Sequence, residues 1–350
     1  MDLSNFDSKQ SRRDFLKNSI FFAALCNLDY RRLFAQSDSK KSMHLATNFV
    51  YKYKTMSVNH FGTMQEDIDK LKRDDKLSWN RTFKGYIKKM KFELPDDFSK
   101  AKSVVILAVF TKLMYVNFHL GEHSFEVMIP PQYYDDGITW DDLTQVIREK
   151  IIGQPGYRIE KAEHLHLKLL AVRSGLGYYG RNNLCFVEGM GTFVTLYAFY
   201  TDFQFEVDNW KEIELLNECK KCSICYGICP TNCITRENFV IDVGKCITLY
   251  NEVKGKFPIW IRPRMHDALM GCMKCQLRCP ENEKVLNWAD RLEDITAEET
   301  EKILAGTPDD HLLQSLTHKL RNFYPGSSAQ DFPIFTRNLS VLISQKYKDV

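Results

Sequence analysis

Cys219, Cys222, Cys225 and Cys229, followed by Pro230, read C-x2-C-x2-C-x3-C-P, and Cys272, Cys275 and Cys279, followed by Pro280, read C-x2-C-x3-C-P. A chain that gathers thiols at these spacings must fold around whatever they bind. The first run has the spacing that wraps cubane [4Fe-4S] clusters, in which the fourth cysteine ligates the other cluster of a pair. The second run is one cysteine short, and Cys246 upstream completes it. The proline after each last cysteine turns the chain away, so that thiolate reaches a different cluster. The expected sets are Cys219, Cys222, Cys225 and Cys279 for one cluster, and Cys246, Cys272, Cys275 and Cys229 for the other. C-x2-C pairs also bind zinc, but the three-cysteine runs and the two Cys-Pro endings suit cubanes better. Such local clustering is a poor framework for disulfides. The chain therefore reads as an electron carrier or a reductase.

Of the 11 cysteines, Cys26, Cys185 and Cys233 are left over. Buried packing is the default reading for each, although Cys233 sits only four residues after Cys229. The 350 residues suggest about two domains, and 44% apolar with 27% charged content is that of a globular protein. A net charge of +3 is too small to argue for nucleic acid. Lys52, Lys54, Lys84, Lys88, Lys89 and Lys91 make one region locally basic, as a solvated helix face would. No apolar run approaches the ~18 residues of a membrane span.

Ser11-Arg12-Arg13-Asp14-Phe15-Leu16-Lys17 resembles a twin-arginine export signal, followed by a short apolar stretch from Ile20 to Leu25 and a small-residue cleavage site at Leu33-Phe34-Ala35. The alternative is a cytoplasmic amphipathic helix. Export implies the twin-arginine translocase as a partner and a periplasmic location. That route suits a protein that must assemble its iron before it leaves the cytoplasm.

The expected organisation is a signal over 1–37, a helical region over 38–100, an α/β catalytic domain over 101–210, a double-cluster module over 211–284 and a helical tail over 285–350. Helical spacing is read over Met64 to Arg73, Phe83 to Phe92, Trp140 to Ile151 behind Thr139 as N-cap, and Lys161 to Ser174. The continuous apolar run Ser103–Phe110 suits a buried central strand, and Phe125 to Ile129 a second one. Leu184 to Val187 and Thr192 to Tyr200 read as two strands of a hairpin. Three apolar-faced helices follow, over Ala297 to Leu304, His311 to Phe323 and Phe332 to Ile343. Gly175-x-Gly177-x-x-Gly180 follows a helix, whereas a dinucleotide fingerprint follows a strand, so nicotinamide binding is rejected.

Leu170-Ala171-Val172-Arg173-Ser174-Gly175-Leu176-Gly177-Tyr178-Tyr179-Gly180-Arg181-Asn182 resembles the "LA-x-x-AGLGWIGKN" segment of epoxyqueuosine reductases, and related segments occur in reductive dehalogenases. Cys246-Ile247-Thr248 and Gly271-Cys272-Met273-Lys274-Cys275-Gln276 resemble their "CISYLT" and "GCDDCQ" segments. The resemblance spans roughly residues 100–345. It implies a two-cluster, cobalamin-dependent reductase with a nitroreductase-like α/β catalytic domain, a ferredoxin-like module and a helical tail. It also implies a low-potential electron donor. Two departures stand out. The "D-x-x-P-x-x-E-R" segment that carries the presumed proton-donating aspartate is replaced by Glu160 to Lys168. The export signal does not suit a cytoplasmic tRNA enzyme.

The leading expectation is thus reductive cleavage of a halide or an epoxide oxygen from a small molecule. The alternatives are a corrinoid-free electron carrier and a cytoplasmic epoxyqueuosine reductase acting on tRNA. The corrinoid is expected between the loop 175–183 and the cluster bearing Cys219, Cys222 and Cys225, cradled by Gly175, Gly177, Gly180 and Asn182, because glycines let the backbone approach the macrocycle. Arg181 would face the leaving group. The proton would come from Tyr133, Tyr134, Tyr178 or Glu163, with tyrosine favoured because it stays protonated at neutral pH without tuning.

Overall fold

The computed structural model describes residues 49–346 apart from residue 238. The twin-arginine segment, its apolar stretch and Cys26 lie outside the described residues. In chain order, β1 (Tyr51–Ser57) leads through α1 (Phe61–Arg73) and α2 (Arg81–Lys89) to β2 (Ser103–Phe110). A hairpin of β3 (Met114–Leu120) and β4 (His123–Ile129) follows, then α3 (Trp140–Val146), β5 (Ile159–Lys161) and α4 (Leu167–Arg173). The short strands β6 (Tyr178–Tyr179) and β7 (Cys185–Phe186) precede the long β8 (Val194–Thr201). The cysteine region holds α5 (Ile224–Ile228), α6 (Ile247–Asn251) and α7 (Lys274–Leu277). The chain ends through β9 (Asp290–Arg291), α8 (Ala297–Ala305), α9 (Asp310–Lys319) and α10 (Phe332–Lys346).

The run Ser103–Phe110 is an inner strand, as its apolar, β-branched content predicts. It pairs antiparallel with β1 on one side and β8 on the other, in a sheet of order β1-β2-β8-β5. Alternation along β2 sends Val104, Ile106 and Ala108 to one face, where they pack with residues of α1 and α4. Val105, Leu107 and Val109 go to the other face, under α3. Both faces are covered, which is why the run carries no polar alternation. A second sheet, β4-β3-β9, packs Val116, Phe118 and Ile129 against Leu316, Phe335 and Leu339 of the C-terminal helices.

Several expectations change. The region read as helical over 38–100 supplies β1, an edge strand of the main sheet. Lys161 to Ser174 is not one helix. Lys161 ends β5, and α4 begins only after His166, whose Nδ1 accepts a hydrogen bond from Leu169 N and caps the helix. Leu184 to Val187 and β8 are not hairpin partners, because β7 pairs with β6 and β8 pairs with β2. The C-terminal helices are no detached tail, since they form the cover of the second sheet. Among the described residues no helix is long and apolar enough to cross a membrane.

The cysteine region is locked to the α/β body by a buried polar knot. Asn282 Oδ1 accepts from Thr192 N at 3.0 Å, Asn282 Nδ2 donates to Thr192 Oγ1 at 2.9 Å, and Thr192 Oγ1 donates to Gln276 Oε1 at 2.7 Å. Gly191, at φ +57°, leaves the space into which Asn282 reaches, since a Cβ there would lie 2.3 Å from Asn282 Oδ1.

Candidate functional site

The cysteine runs coil into single-turn helices, α5 and α7, which bring distant thiols together. Cys279 lies within electrostatic reach of Cys219, Cys225 and Cys222. Cys275 lies within reach of Cys246, Cys225 and Cys229, and Cys272 within reach of Cys275 and Cys246. The fourth cysteine of each run therefore sits with the other run's set. Burial pushes the thiols of Cys225 and Cys279 up, to about 11 and about 12. Thiolates so placed need a positive core to stay deprotonated, which iron supplies. The chemistry of the donor sets fits two cubanes. Among the described residues no group of three or more His, Cys, Asp or Glu side chains is arranged to hold a single metal ion.

Cys229, Cys246, Cys272 and Cys275 line a small cavity of about 30 Å³, and Cys233 lines it with them. Cys233 is buried, with its Sγ 3.4 Å from Cys229 Sγ.

The glycine loop after α4 does a different job from the one expected. A Cβ on Gly177 would lie 2.5 Å from Phe186 O and 2.7 Å from Cys185 Sγ, and one on Gly180 would lie 2.3 Å from the Phe186 ring. These glycines let β7 pack closely against the loop. Gly175, at φ +72°, closes α4 and faces the Lys211 side chain. Arg181, expected to face a leaving group, is engaged by main-chain carbonyls. It is 7% exposed and donates to the main-chain carbonyls of Cys219, Cys222 and Arg236. It is a clip on the first cysteine run. Asn182 also turns away from any cradle, hydrogen-bonding Cys275 through its side chain. Asn183, at φ +64°, holds Lys168. Three consecutive side chains thus grip the first cysteine run, the second cysteine set and the cavity described next.

That cavity, of about 430 Å³, lies where α1, α2, the start of α4 and β8 meet the cysteine region. Phe83, Ile87, Leu71 and Leu196 make its walls apolar, and Cys246 of the second set is part of its wall. Lys168 lines it and donates to Asn183 O at 2.9 Å and Asn183 Oδ1 at 2.7 Å. Desolvation brings the Lys168 ammonium down to about 8. His166 beside it is pushed down to about 4 by burial, so it is neutral at physiological pH. Gln132 also lines the cavity. Its Nε2 donates to Val194 O, while its buried Oε1 has no protein donor among the described residues. An orphaned buried acceptor in a cavity wall calls for a donor from a ligand.

None of the four expected proton donors lines this cavity. Tyr134 is buried against the second sheet and donates to Lys112 O. Tyr178 is 48% exposed on a short strand. Glu163 lies on the link between β5 and α4, outside the cavity wall. Tyr133 is buried and donates to Glu252 at 2.5 Å, behind the second cysteine set. Desolvation raises the Glu252 carboxyl to about 8.

Lys168, Gln132, Asn183 and Glu252 were not singled out by sequence. One signal was present, a lysine inside the apolar run Leu165 to Val172, where a charge needs a reason. Gln132 and Glu252 carried none, since their burial depends on packing between remote segments.

Residues 218–282 match the family of the 4Fe-4S double cluster binding domain. The chain is 35% identical over 137 residues to the epoxyqueuosine reductase of Vibrio cholerae, covering 38% of this chain and 36% of the relative. It is 37% identical over 114 residues to that of Escherichia coli, covering 32% and 29%. The chain thus matches about a third of the length of these curated relatives. Among solved structures, epoxyqueuosine reductase from Streptococcus thermophilus aligns with a TM-score of 0.59 at 17% identity, covering 85% of this chain and 78% of that one. A crystal structure of epoxyqueuosine reductase with an epoxyqueuosine-modified tRNA-Tyr stem loop aligns with a TM-score of 0.55 at 19% identity, covering 84% and 77%.

Proposed function

Because the chain is a relative of the epoxyqueuosine reductases and carries a double-cluster domain, we propose that it is an iron–sulfur reductase of that type, cleaving a carbon–oxygen or carbon–halogen bond in a molecule bound in the 430 Å³ cavity. The observation that carries this reading is the position of Cys246. It belongs to the second cysteine set and is also part of the cavity wall. Electrons arriving at a cluster ligated there reach the cavity through one side chain.

The chemistry balances as two electrons from the clusters and a proton for each halide displaced by hydrogen. For an epoxide opened to an alkene and water, it takes two electrons and two protons. The low-potential electron donor supplies the electrons. The apolar walls exclude water and raise the worth of any charge inside. Lys168 directs its ammonium to the cavity beside Cys185 and Cys246. Two of its N–H groups are engaged by Asn183, and the third can meet the departing anion. An ammonium near 8 can also release a proton near neutral pH.

Were a corrinoid held at the open side of this cavity, Gln132 Oε1 would accept from an amide on its rim. A bound corrinoid would supply a metal centre able to deliver both electrons to the breaking bond. Its place would be this cavity, to whose wall the loop contributes Tyr179 and Asn183.

The substrate supported by the relatives is a modified nucleoside on a tRNA stem-loop. The outer face of α2 supports it too. Lys84, Lys88 and Lys89 are exposed there, while Phe83, Tyr86 and Ile87 of the same helix line the cavity. Cations at the mouth would track a phosphate backbone. The second reading, a small molecule, is favoured by the replacement of the aspartate-bearing segment with Glu160 to Lys168.

The test uses anaerobically purified, cluster-loaded protein reduced with dithionite. Binding of an epoxyqueuosine stem-loop that weakens steeply with salt, and turnover of it, supports the nucleoside reading. Turnover of free epoxides or organohalides without stem-loop binding supports the small-molecule reading. No turnover of any of these, with clusters intact and reducible, leaves a plain electron carrier and defeats the proposal.

A further inference from the structure

The second cysteine set contains one thiol more than a cubane can use. Four irons take four terminal thiolates, and the 30 Å³ cavity is framed by Cys229, Cys246, Cys272, Cys275 and Cys233. The fifth is placed by local structure. Pro230 and Asn232, the latter at φ +53°, fold the chain back so that Asn232 N donates to Cys229 O at 3.3 Å. Asp242 N then donates to Cys233 O at 2.8 Å and pins the main chain there. The result puts Cys233 Sγ 3.4 Å from Cys229 Sγ, with a second thiol contact to Cys246. Cys233 packs with Ile234 and Ile241 and is 3% exposed, so bulk solvent does not compete for it.

Building on the two-cluster reading, we propose that Cys233 is a resident replacement ligand for the second cluster, able to take the iron of Cys229. In the exchange the iron–sulfur bond to Cys229 breaks and one to Cys233 forms, while the Cys233 proton passes to the Cys229 sulfur. No electron is gained or lost and no other reagent is needed. Because both sulfurs already border the same cavity, the change is a side-chain movement and the main chain stays in place. The second cluster also adjoins the substrate cavity through Cys246, so a spare thiol would guard the cluster most exposed to the reaction.

The test compares anaerobically reconstituted full-length chains by iron and sulfide content and by electron paramagnetic resonance of the reduced state. Wild type is expected to hold about eight irons, as two cubanes require. Cys233→Ala and Cys229→Ala are each expected to keep about eight, and the double variant to fall to about four. A fall to about four in Cys229→Ala alone overturns the inference while leaving the two-cluster reading intact. About four irons in wild type would overturn both. Cys229→Ser guards against a variant that fails to fold. Takeover by Cys233 predicts an all-thiolate signal like that of wild type, abolished on adding Cys233→Ala. A shifted, oxygen-ligated signal in Cys229→Ser, unchanged by the second substitution, contradicts it.

Discussion

Lys168 Nζ lies 2.7 Å from Asn183 Oδ1 and 2.9 Å from Asn183 O, so the cation in the cavity is aimed by the residue next to the one that bonds Cys275. Replacing Lys168 by Met should keep cluster content and lower turnover by about 100-fold or more, the scale of a lost general acid. Its pH profile provides the control. With the ammonium brought down to about 8, wild-type turnover should fall as pH rises through that value, and the Met variant should lack this limb. Folding stability moves the opposite way. Between about 8 and the ordinary lysine value near 10.4, the unfolded chain binds the extra proton, so this group's contribution rises with pH.

Arg181 ties the first cysteine run, at Cys219 O and Cys222 O, to the segment after it, at Arg236 O. Arg181→Met should leave those buried acceptors unpaired, costing about 3 kcal/mol or more. Thermal unfolding of the cluster-loaded protein should show the loss. Chelator challenge should strip the first cluster faster than in wild type, with the second cluster lasting longer. Equal loss of both clusters would argue against a local clip.

Gly177→Ala should destabilise the protein without acting through any ligand. The added methyl would meet Phe186 O at 2.5 Å and Cys185 Sγ at 2.7 Å, and overpacking of this kind costs about 1–3 kcal/mol. Denaturant midpoints should drop equally with and without bound cavity ligand. A drop in ligand affinity with unchanged stability would return the loop to the role of a cradle.

Far from the site, Glu299 closes a capping box with Thr296, accepts from Ser315 at 2.5 Å, and accepts from Lys319 at 2.7 Å. These bonds outweigh burial and bring its carboxyl down to about 2. Because the folded value lies below the unfolded one, the stabilisation is complete above about pH 4.5 and is lost as pH falls toward 2. Glu299→Gln should cost about 1–2 kcal/mol at pH 7, the pKa difference discounted for solvent screening of a partly exposed group. The gap between the two melting curves should close in acid.

The double-cluster region was legible because ligand spacing is local and chemically narrow, and Ser103–Phe110 because a strand covered on both faces has no polar alternation to confuse. β1 was hidden. Its lysines alternate with tyrosines over Tyr51, Lys52, Tyr53 and Lys54, with no apolar alternation there, and only pairing with β2 makes it a strand. The cluster pattern pointed to a reductase, while several residues assigned to its chemistry have structural partners that no local pattern announced. Arg181 and Asn182 serve the cysteines, and Tyr134 serves the second sheet. Motif resemblance marks which residues a family needs without saying what each one touches. Lys168 and Gln132 acquire their surroundings from segments far away in sequence, so no local pattern announced them.

The most direct measurement is the reduced-state electron paramagnetic resonance spectrum of anaerobically reconstituted protein, quantified against iron. The crossed cysteine sets predict about eight irons per chain and a spectrum broadened by coupling between two neighbouring reduced cubanes. Substituting Cys246 should remove the coupling and about half the iron. About four irons with a single uncoupled signal, or zinc in place of iron, would contradict the account.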